Sequence, residues 1–305
     1  MRRVVDGNGN GNGTLLARCT FPPPGTEVSC AVSGGADSLA LLALAVAAGC
    51  PATAIHVDHG LRPNSAREAD LVAAAARELG ADFRSVRVAV GQGPNLEARA
   101  RAARYAALPA DVMTGHTADD QAETLLVNLL RGAASNGLSA MRPGVRRPIL
   151  ALRRHETVEL CAAMGLSVFF DPSNTDPRHV RNRVRHELLP LLAEISQRDP
   201  IPVLVRQADI ARADADFLDE LAMEIDPVDA RTLAAAPLAL ARRAVRRWLR
   251  GDHPPDSATV ERVLAVARGE AAATDIGGGQ SVRRSRQRLT VVSSMVPSTN
   301  PVTSE

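Results

Sequence analysis

Ala31-Val32-Ser33-Gly34-Gly35-Ala36-Asp37-Ser38 joins two apolar segments, residues 28–32 and 39–48. The first is short and reads as a buried strand; the second is long enough to read as an apolar helix. A strand, a two-glycine turn and a helix opening with Asp and Ser form an anion cradle. Gly34 and Gly35 let the backbone approach a ligand closely. The unpaired N–H groups and positive dipole end of the new helix then face that ligand. Ser33 and Ser38 add hydroxyl donors. Asp37 is the odd member, because a carboxylate repels phosphate unless a cation lies between them. Ser33, Gly34, Gly35, Ala36, Asp37 and Ser38 are therefore read as binding a nucleotide's diphosphate, with Mg²⁺ held partly by Asp37. A plainer reading makes Asp37 a cap in a serine-rich turn; the strand–turn–helix setting favours the phosphate site.

Working outward, strand and helix patterns alternate. Candidate strands cover residues 28–32, 53–57, 84–90 and 110–114, and candidate helices 39–48, 65–79, 96–107 and 119–130. This alternation predicts parallel βαβ units in an α/β, doubly wound parallel sheet. Ligands of such sheets bind at the carboxyl ends of the strands. Later elements are a helix over 155–164, a short strand over 167–170, and a helix opened near Arg178 and closed by Pro190. A long amphipathic helix over 201–225 then leads to a smaller, mostly helical domain, with helices near 237–250 and 258–268. Gly277-Gly278-Gly279 opens a C-terminal hairpin of 281–284 and 288–292. Residues 1–25, with strict Gly/Asn alternation and then Pro22-Pro23-Pro24, predict a flexible leader, and residues 293–305 a polar tail.

Composition narrows the chemistry. The 305 residues suit one large domain plus a smaller one, or two domains, and 45% apolar content supports a core built mainly from Ala, Leu and Val. The chain has no lysine: all 36 basic residues are arginine. That excludes a Schiff-base lysine and a Walker-A loop. Cys19, Cys30, Cys50 and Cys161 form no CxxC pair and no metal-finger spacing. No apolar run reaches membrane-spanning length, and no apolar signal segment follows Met1, so a soluble cytoplasmic protein without a membrane partner is expected. The net charge of +2 is uneven: residues 231–290 hold 12 arginines against 5 acidic residues. A basic C-terminal module suggests a polyanionic partner.

Further motifs share the predicted rim. Asp58, His59 and Arg62 follow the second strand and suit adenine or substrate contact. Glu97, Arg101 and Arg104 share one helix face, read either as a solvated ion-paired face or as phosphate and RNA contacts. Gly115-His116-Thr117-Ala118-Asp119-Asp120-Gln121-Ala122-Glu123 is denser. Capping explains Thr117 or Asp119, but not His, two Asp and Glu together. Its spacing suits a general base and a metal-binding carboxylate, so His116, Asp120 and Glu123 are candidate catalytic residues. Asp37 and Asp120 are the candidate Mg²⁺ ligands. Asp171-Pro172-Ser173-Asn174, with Arg181, Arg183 and Arg185, reads as a loop closing on phosphate or RNA. On a helix over 238–250, Arg242, Arg243, Arg246, Arg247 and Arg250 form a stripe suited to backbone phosphates, extended by Arg283, Arg284, Arg286 and Arg288.

As a set in this order, SGGADS, VDHGLR, NLEARARAARY, GHTADDQAET, LLRG with GLSAM, DPSN and RNRVR resemble the tRNA(Ile)-lysidine synthetases, PP-loop (N-type) ATP pyrophosphatases. The match covers residues 27–225, and 226–292 resemble the family's helical substrate-binding domain more loosely. The resemblance implies a Rossmann-like PP-loop domain over 26–200 and a linker helix with a tRNA-binding domain over 201–292. It implies ATP as co-substrate, Mg²⁺, free lysine, and a tRNA(Ile) bearing a CAU anticodon. ATP adenylates O2 of the wobble cytidine with release of pyrophosphate. Lysine then attacks C2 through its side-chain amine and expels AMP. Asp37, Arg101, His116, Asp120 and Glu123 fall to catalysis, and Arg104, Arg181, Arg185, Arg242, Arg243, Arg246 and Arg247 to tRNA. Oligomers are compatible with the family. Ala133-Ala134-Ser135 stands where relatives carry a second glycine. Competing readings are a PP-loop tRNA thiolase, which typically needs reactive or cluster-binding cysteines, an RNA-binding protein with a degenerate nucleotide fold, and an amide-transfer enzyme.

Overall fold

The computed structural model describes residues 15–58, 65–89, 96–251 and 255–293. The chain divides into two compact units, Met1–Ala211 and Arg212–Glu305.

In the first unit, β1 (Val28–Ala31), α1 (Ala36–Ala47), β2 (Ala52–Asp58), α2 (Ser65–Leu79), β3 (Asp82–Arg87), α3 (Leu96–Ala106), β4 (Met113–Thr114) and α4 (Ala118–Leu130) alternate as expected. The sheet order is β3-β2-β1-β4, and every pairing is parallel. Successive strands step outward from β1 to β3, then the chain returns to add β4 on the opposite side of β1. The direction of winding therefore switches between β1 and β4, where open α/β sheets form their ligand crevice. α1 is buried along most of its length, with Leu39, Leu41, Leu42 and Leu44 wholly enclosed. Its aliphatic surface is the centre of the main core, with Cys30, Val32, Val72, Ile149, Leu152 and Leu160 around it.

Four departures from the sequence reading have physical causes. Residues 15–25 belong to the folded unit: Leu15, Leu16 and Phe21 pack on the core, and both outer nitrogens of the Arg18 guanidinium donate to Glu156 at 2.6 Å. Residues 167–170 make no strand; the Phe169 N–H donates instead to the Gly34 carbonyl at 2.9 Å. Pro190 does not end a helix. α6 (Val180–Arg183) passes through a π-helical segment, Val184–Leu188, into α7 (Leu189–Ser196), and the widened turn just before the proline accommodates its missing N–H. Finally, the C-terminal hairpin has a third strand.

The helix α8 (Ile201–Met223) carries the boundary between the units. The second unit continues with α9 (Ala230–Ala235), α10 (Leu238–Trp248), α11 (Ser257–Arg268), β5 (Ala273–Gly277), β6 (Gln280–Ser285) and β7 (Arg288–Ser293). β5, β6 and β7 form an antiparallel meander. The three glycines make the β5–β6 turn. The β6–β7 turn uses Arg286 and Gln287, both with positive φ, as a two-residue hairpin requires. Val245, Val260, Val263, Leu264, Val282 and Leu289 build the unit's own core.

Candidate active site

The turn after β1 organises itself. Gly34 takes a φ of +86°, open to glycine at little cost. The Ser33 N–H donates to Ser38 Oγ at 3.1 Å, and Ser38 Oγ–H donates to the Gly35 carbonyl at 2.8 Å. α1 then begins at Ala36, which places Asp37 in its first turn. Gly115, beyond β4, lies directly against this turn: a Cβ there would stand 2.5 Å from the Asp37 carbonyl oxygen. The segments after β1 and β4 therefore meet backbone to backbone.

α4 opens with a capping box. The Thr117 N–H and hydroxyl donate to Asp120 Oδ2 at 2.9 and 3.0 Å. Asp120 Oδ1 accepts from Arg154 Nη2 at 3.0 Å and from Arg181 Nη2 at 3.1 Å. Burial works to raise its pKa, but Arg154, Arg181, the Thr117 N–H and His116 outweigh burial, and the net shift is downward. Glu123 is wholly enclosed and meets three arginines. Arg154 Nη1 and Arg185 Nε donate to Oε1 at 3.0 and 2.7 Å, and Arg181 Nε and Arg185 Nη2 to Oε2 at 2.8 and 2.9 Å. A buried carboxylate needs such partners. Arg181 and Arg185, expected to reach for phosphate or RNA, are turned onto these carboxylates instead. The same geometry fills the acceptor positions of both Asp120 and Glu123.

The link between the two rims comes from α5 (Arg154–Ala163). The Arg154 guanidinium bridges Glu123, Asp120 and, through Nε at 3.5 Å, Asp37 Oδ2. The Thr157 hydroxyl donates to Asp37 Oδ1. Burial dominates at Asp37 and raises its pKa despite Thr157 and Arg154. Beside this cluster, Asp119 Oδ2 accepts from Arg153 Nε at 3.0 Å and from the Arg154 N–H at 2.9 Å. Sequence reasoning missed Arg153, Arg154 and Thr157. One signal was present: two arginines immediately precede the predicted helix over 155–164, where the dipole disfavours cations unless carboxylates compensate.

The remaining candidates are dispersed. His116 Nδ1 is 2.8 Å from Thr114 Oγ1. Asp58 is buried at the end of β2 and accepts from Arg87 Nε at 3.3 Å. His59 and the side chain of Arg101 lie outside the described residues. Arg104 is half-buried, its guanidinium 5.5 Å from the Tyr105 ring centroid. On α10, Arg242 Nε donates to Glu261 at 2.5 Å and Arg246 Nη2 to Ser257 Oγ at 3.0 Å. Arg243 Nη1 donates to Asp219 at 2.5 Å and to the Ala215 carbonyl at 3.2 Å. Arg247 donates to the carbonyls of Ala222 and Ile225 at 2.7 and 3.1 Å. Arg243 and Arg247 thus satisfy carbonyls of α8 and the turn after it, a structural use that the stripe pattern did not reveal.

Among the described residues, no group of three or more His, Cys, Asp or Glu is arranged to hold a metal alone. The residues present do fit Mg²⁺ shared with phosphate. Asp37 and Asp120 direct hard oxygens at one positively charged position, now taken by Arg154, beside the N–H groups of the β1–α1 turn. Among the described residues no helix is long and apolar enough to cross a membrane.

Comparison with known proteins agrees with this layout. The PP-loop domain family matches residues 15–192, and the TilS substrate binding domain family matches residues 229–290. The tRNA(Ile)-lysidine synthase of Nocardia farcinica is 42% identical over 296 residues, covering 89% of this chain and 93% of that protein. That of Thermobifida fusca is 42% identical over 271 residues, covering 81% and 84%. Among solved structures, the U34-tRNA thiolase NcsA from Methanococcus maripaludis with its [4Fe-4S] cluster superposes with a TM-score of 0.51 at 18% identity, covering 64% of this chain and 76% of that one. This last likeness concerns the fold alone.

Proposed function

The chain belongs to the tRNA(Ile)-lysidine synthase family, and we propose on that premise that it joins lysine to C2 of the wobble cytidine of a CAU-anticodon tRNA(Ile), consuming ATP and releasing AMP and pyrophosphate. The observation that supports it most is the meeting of Asp37, Asp120 and Glu123 around Arg154 at the switch point between β1 and β4.

The roles follow from chemistry. The C2 oxygen of cytidine is a poor leaving group, and its adenylation turns it into AMP, a good one. The N–H groups of Gly34, Gly35, Ala36 and Asp37 bind the diphosphate and stabilise charge developing on departing pyrophosphate, while Ser33 and Ser38 brace the turn that presents them. Asp37 and Asp120 would hold Mg²⁺, which would supply charge neutralisation for the phosphates. Asp120 and Glu123 hold Arg154, Arg181 and Arg185 at the site, and three guanidiniums on two carboxylates leave it with the positive charge that phosphates require. Asp120 is held below the usual carboxylate range, which suits it to binding a cation better than to accepting a proton near neutral pH. His116, at the same helix start, takes the part of proton acceptor. tRNA binding falls to exposed arginines of residues 229–290, Arg246 among them, with Arg104 as a further contact.

A thiolase reading fits the cysteines poorly. Burial pushes Cys19 and Cys30 up to about 12 and Cys161 to about 11, the reverse of an activated thiolate. The test of the proposal is pyrophosphate release by Asp37→Asn with MgATP and tRNA(Ile) transcript. Loss of release in a protein that melts like the parent supports it, and near-normal release removes Asp37 from the reaction.

A further inference from the structure

Helix α5 presents Leu160 and Cys161 to the main core, and Thr157 lies one turn earlier on the same face, with no exposed surface. An apolar residue is expected at such a position, because a buried hydroxyl is costly unless bonded. The Thr157 hydroxyl lies against two acceptors: Asp37 Oδ1 and, at 2.7 Å, the carbonyl of Arg154. A hydroxyl carries one proton, and an ionised carboxylate is the stronger acceptor. One turn further on, Cys161 Sγ approaches the Ala36 carbonyl at 3.4 Å. α5 thus docks on the first turn of α1 through Arg154, Thr157 and Cys161, and the first two of these contacts end on the side chain that carries the chemistry.

The two oxygens of Asp37 are held unequally. Oδ1 is gripped by Thr157, whereas Oδ2 has, among the described residues, only the 3.5 Å approach of Arg154 Nε. We propose that Thr157 is a positioning residue: its hydroxyl fixes the Asp37 carboxylate so that Oδ2 is presented to the divalent cation that accompanies ATP. This rests on the reading of Asp37 given above. Hydrogen-bond donors behind a ligating carboxylate orient it, and their loss typically lowers metal affinity about 10–100-fold.

The experiment is titration of Mn²⁺ in the presence of α,β-methylene-ATP, followed by the electron paramagnetic resonance of free Mn²⁺, on the full chain. It compares the parent with Thr157→Val, Thr157→Ala, Thr157→Ser and Asp37→Asn, each checked by thermal melting. The expected result is affinity lowered about tenfold or more in Val and Ala, restored in Ser, and lowered at least as far in Asp37→Asn. A parent-like affinity in Val and Ala, with Asp37→Asn impaired, overturns the role of Thr157 and leaves Asp37 in place. A parent-like affinity in Asp37→Asn overturns the reading of Asp37 itself. Equal losses in Val, Ala and Ser also overturn the proposal, since Ser retains the hydroxyl.

Discussion

Replacing Glu123 by Gln removes one charge from an enclosed site while keeping its shape. Glu123 has no exposed side-chain surface, and four guanidinium N–H groups from three arginines end on its two oxygens. Whichever oxygen becomes the amide nitrogen, its two hydrogens need acceptors and instead face two arginine N–H donors. Removing one partner of a buried ion pair costs about 3–5 kcal/mol. The arginine side chains retain between 23% and 39% exposure, which places the loss near the lower end, about 3 kcal/mol. For a domain of this size that corresponds to a melting temperature lower by about 6–12 °C. Scanning calorimetry of the full chain reads it directly. Arg185 gives Glu123 two bonds and reaches Asp120 only at 3.6 Å, so Arg185→Gln in the same chain restores much of the charge balance. The double variant should be less destabilised than the two losses added, by about 1 kcal/mol or more. A melting temperature within about 1 °C of the parent for Glu123→Gln, or strict additivity in the double variant, would refute the reasoning.

Arg247→Ala removes donors to two backbone carbonyls at the end of α8 and should destabilise the second unit by about 1–3 kcal/mol, read by chemical denaturation; unchanged stability would return Arg247 to a purely tRNA-facing role. Gly115→Ala forces backbone apart at the Asp37 carbonyl and should raise the KM for MgATP and cost about 1–3 kcal/mol of stability; parent values for both would contradict the close approach. Asp119, Asp120 and Glu156 all sit below their ordinary values when folded: burial opposes the shift, and the guanidiniums of Arg153, Arg154 and Arg18, with backbone N–H groups, outweigh it. Their contribution to stability is complete above the unfolded range near about pH 4 and is lost as pH falls through the lower folded values, so melting temperatures should fall steeply on acidification below about pH 4. A flat profile there would show that these pairs contribute nothing net.

The βα alternation was legible because each strand and helix carries its own periodicity. α2 runs over the expected residues, and α1, α3 and α4 start or stop within three residues of expectation. β5 was not legible, since Ala273-Thr274-Asp275 lacks alternating apolar residues and pairs only because β6 provides a template. At the site, the glycine turn and the dense run from His116 to Glu123 announced themselves by composition. Arg154 and Thr157 did not, because they belong to the site only once α5 packs on α1. The arginine stripe of α10 shows the converse. Its amphipathic pattern was read correctly as a face, but a pattern of charge does not say whether phosphates or the chain's own carbonyls receive it.

The central claim is tested most directly by incubating the purified chain with MgATP, radiolabelled lysine and a CAU-anticodon tRNA(Ile) transcript, and counting acid-precipitable label. The account predicts label that requires ATP and disappears when the wobble cytidine is replaced. No label, with pyrophosphate still released, would contradict lysine as the nucleophile, and the absence of both would contradict the proposed reaction as a whole.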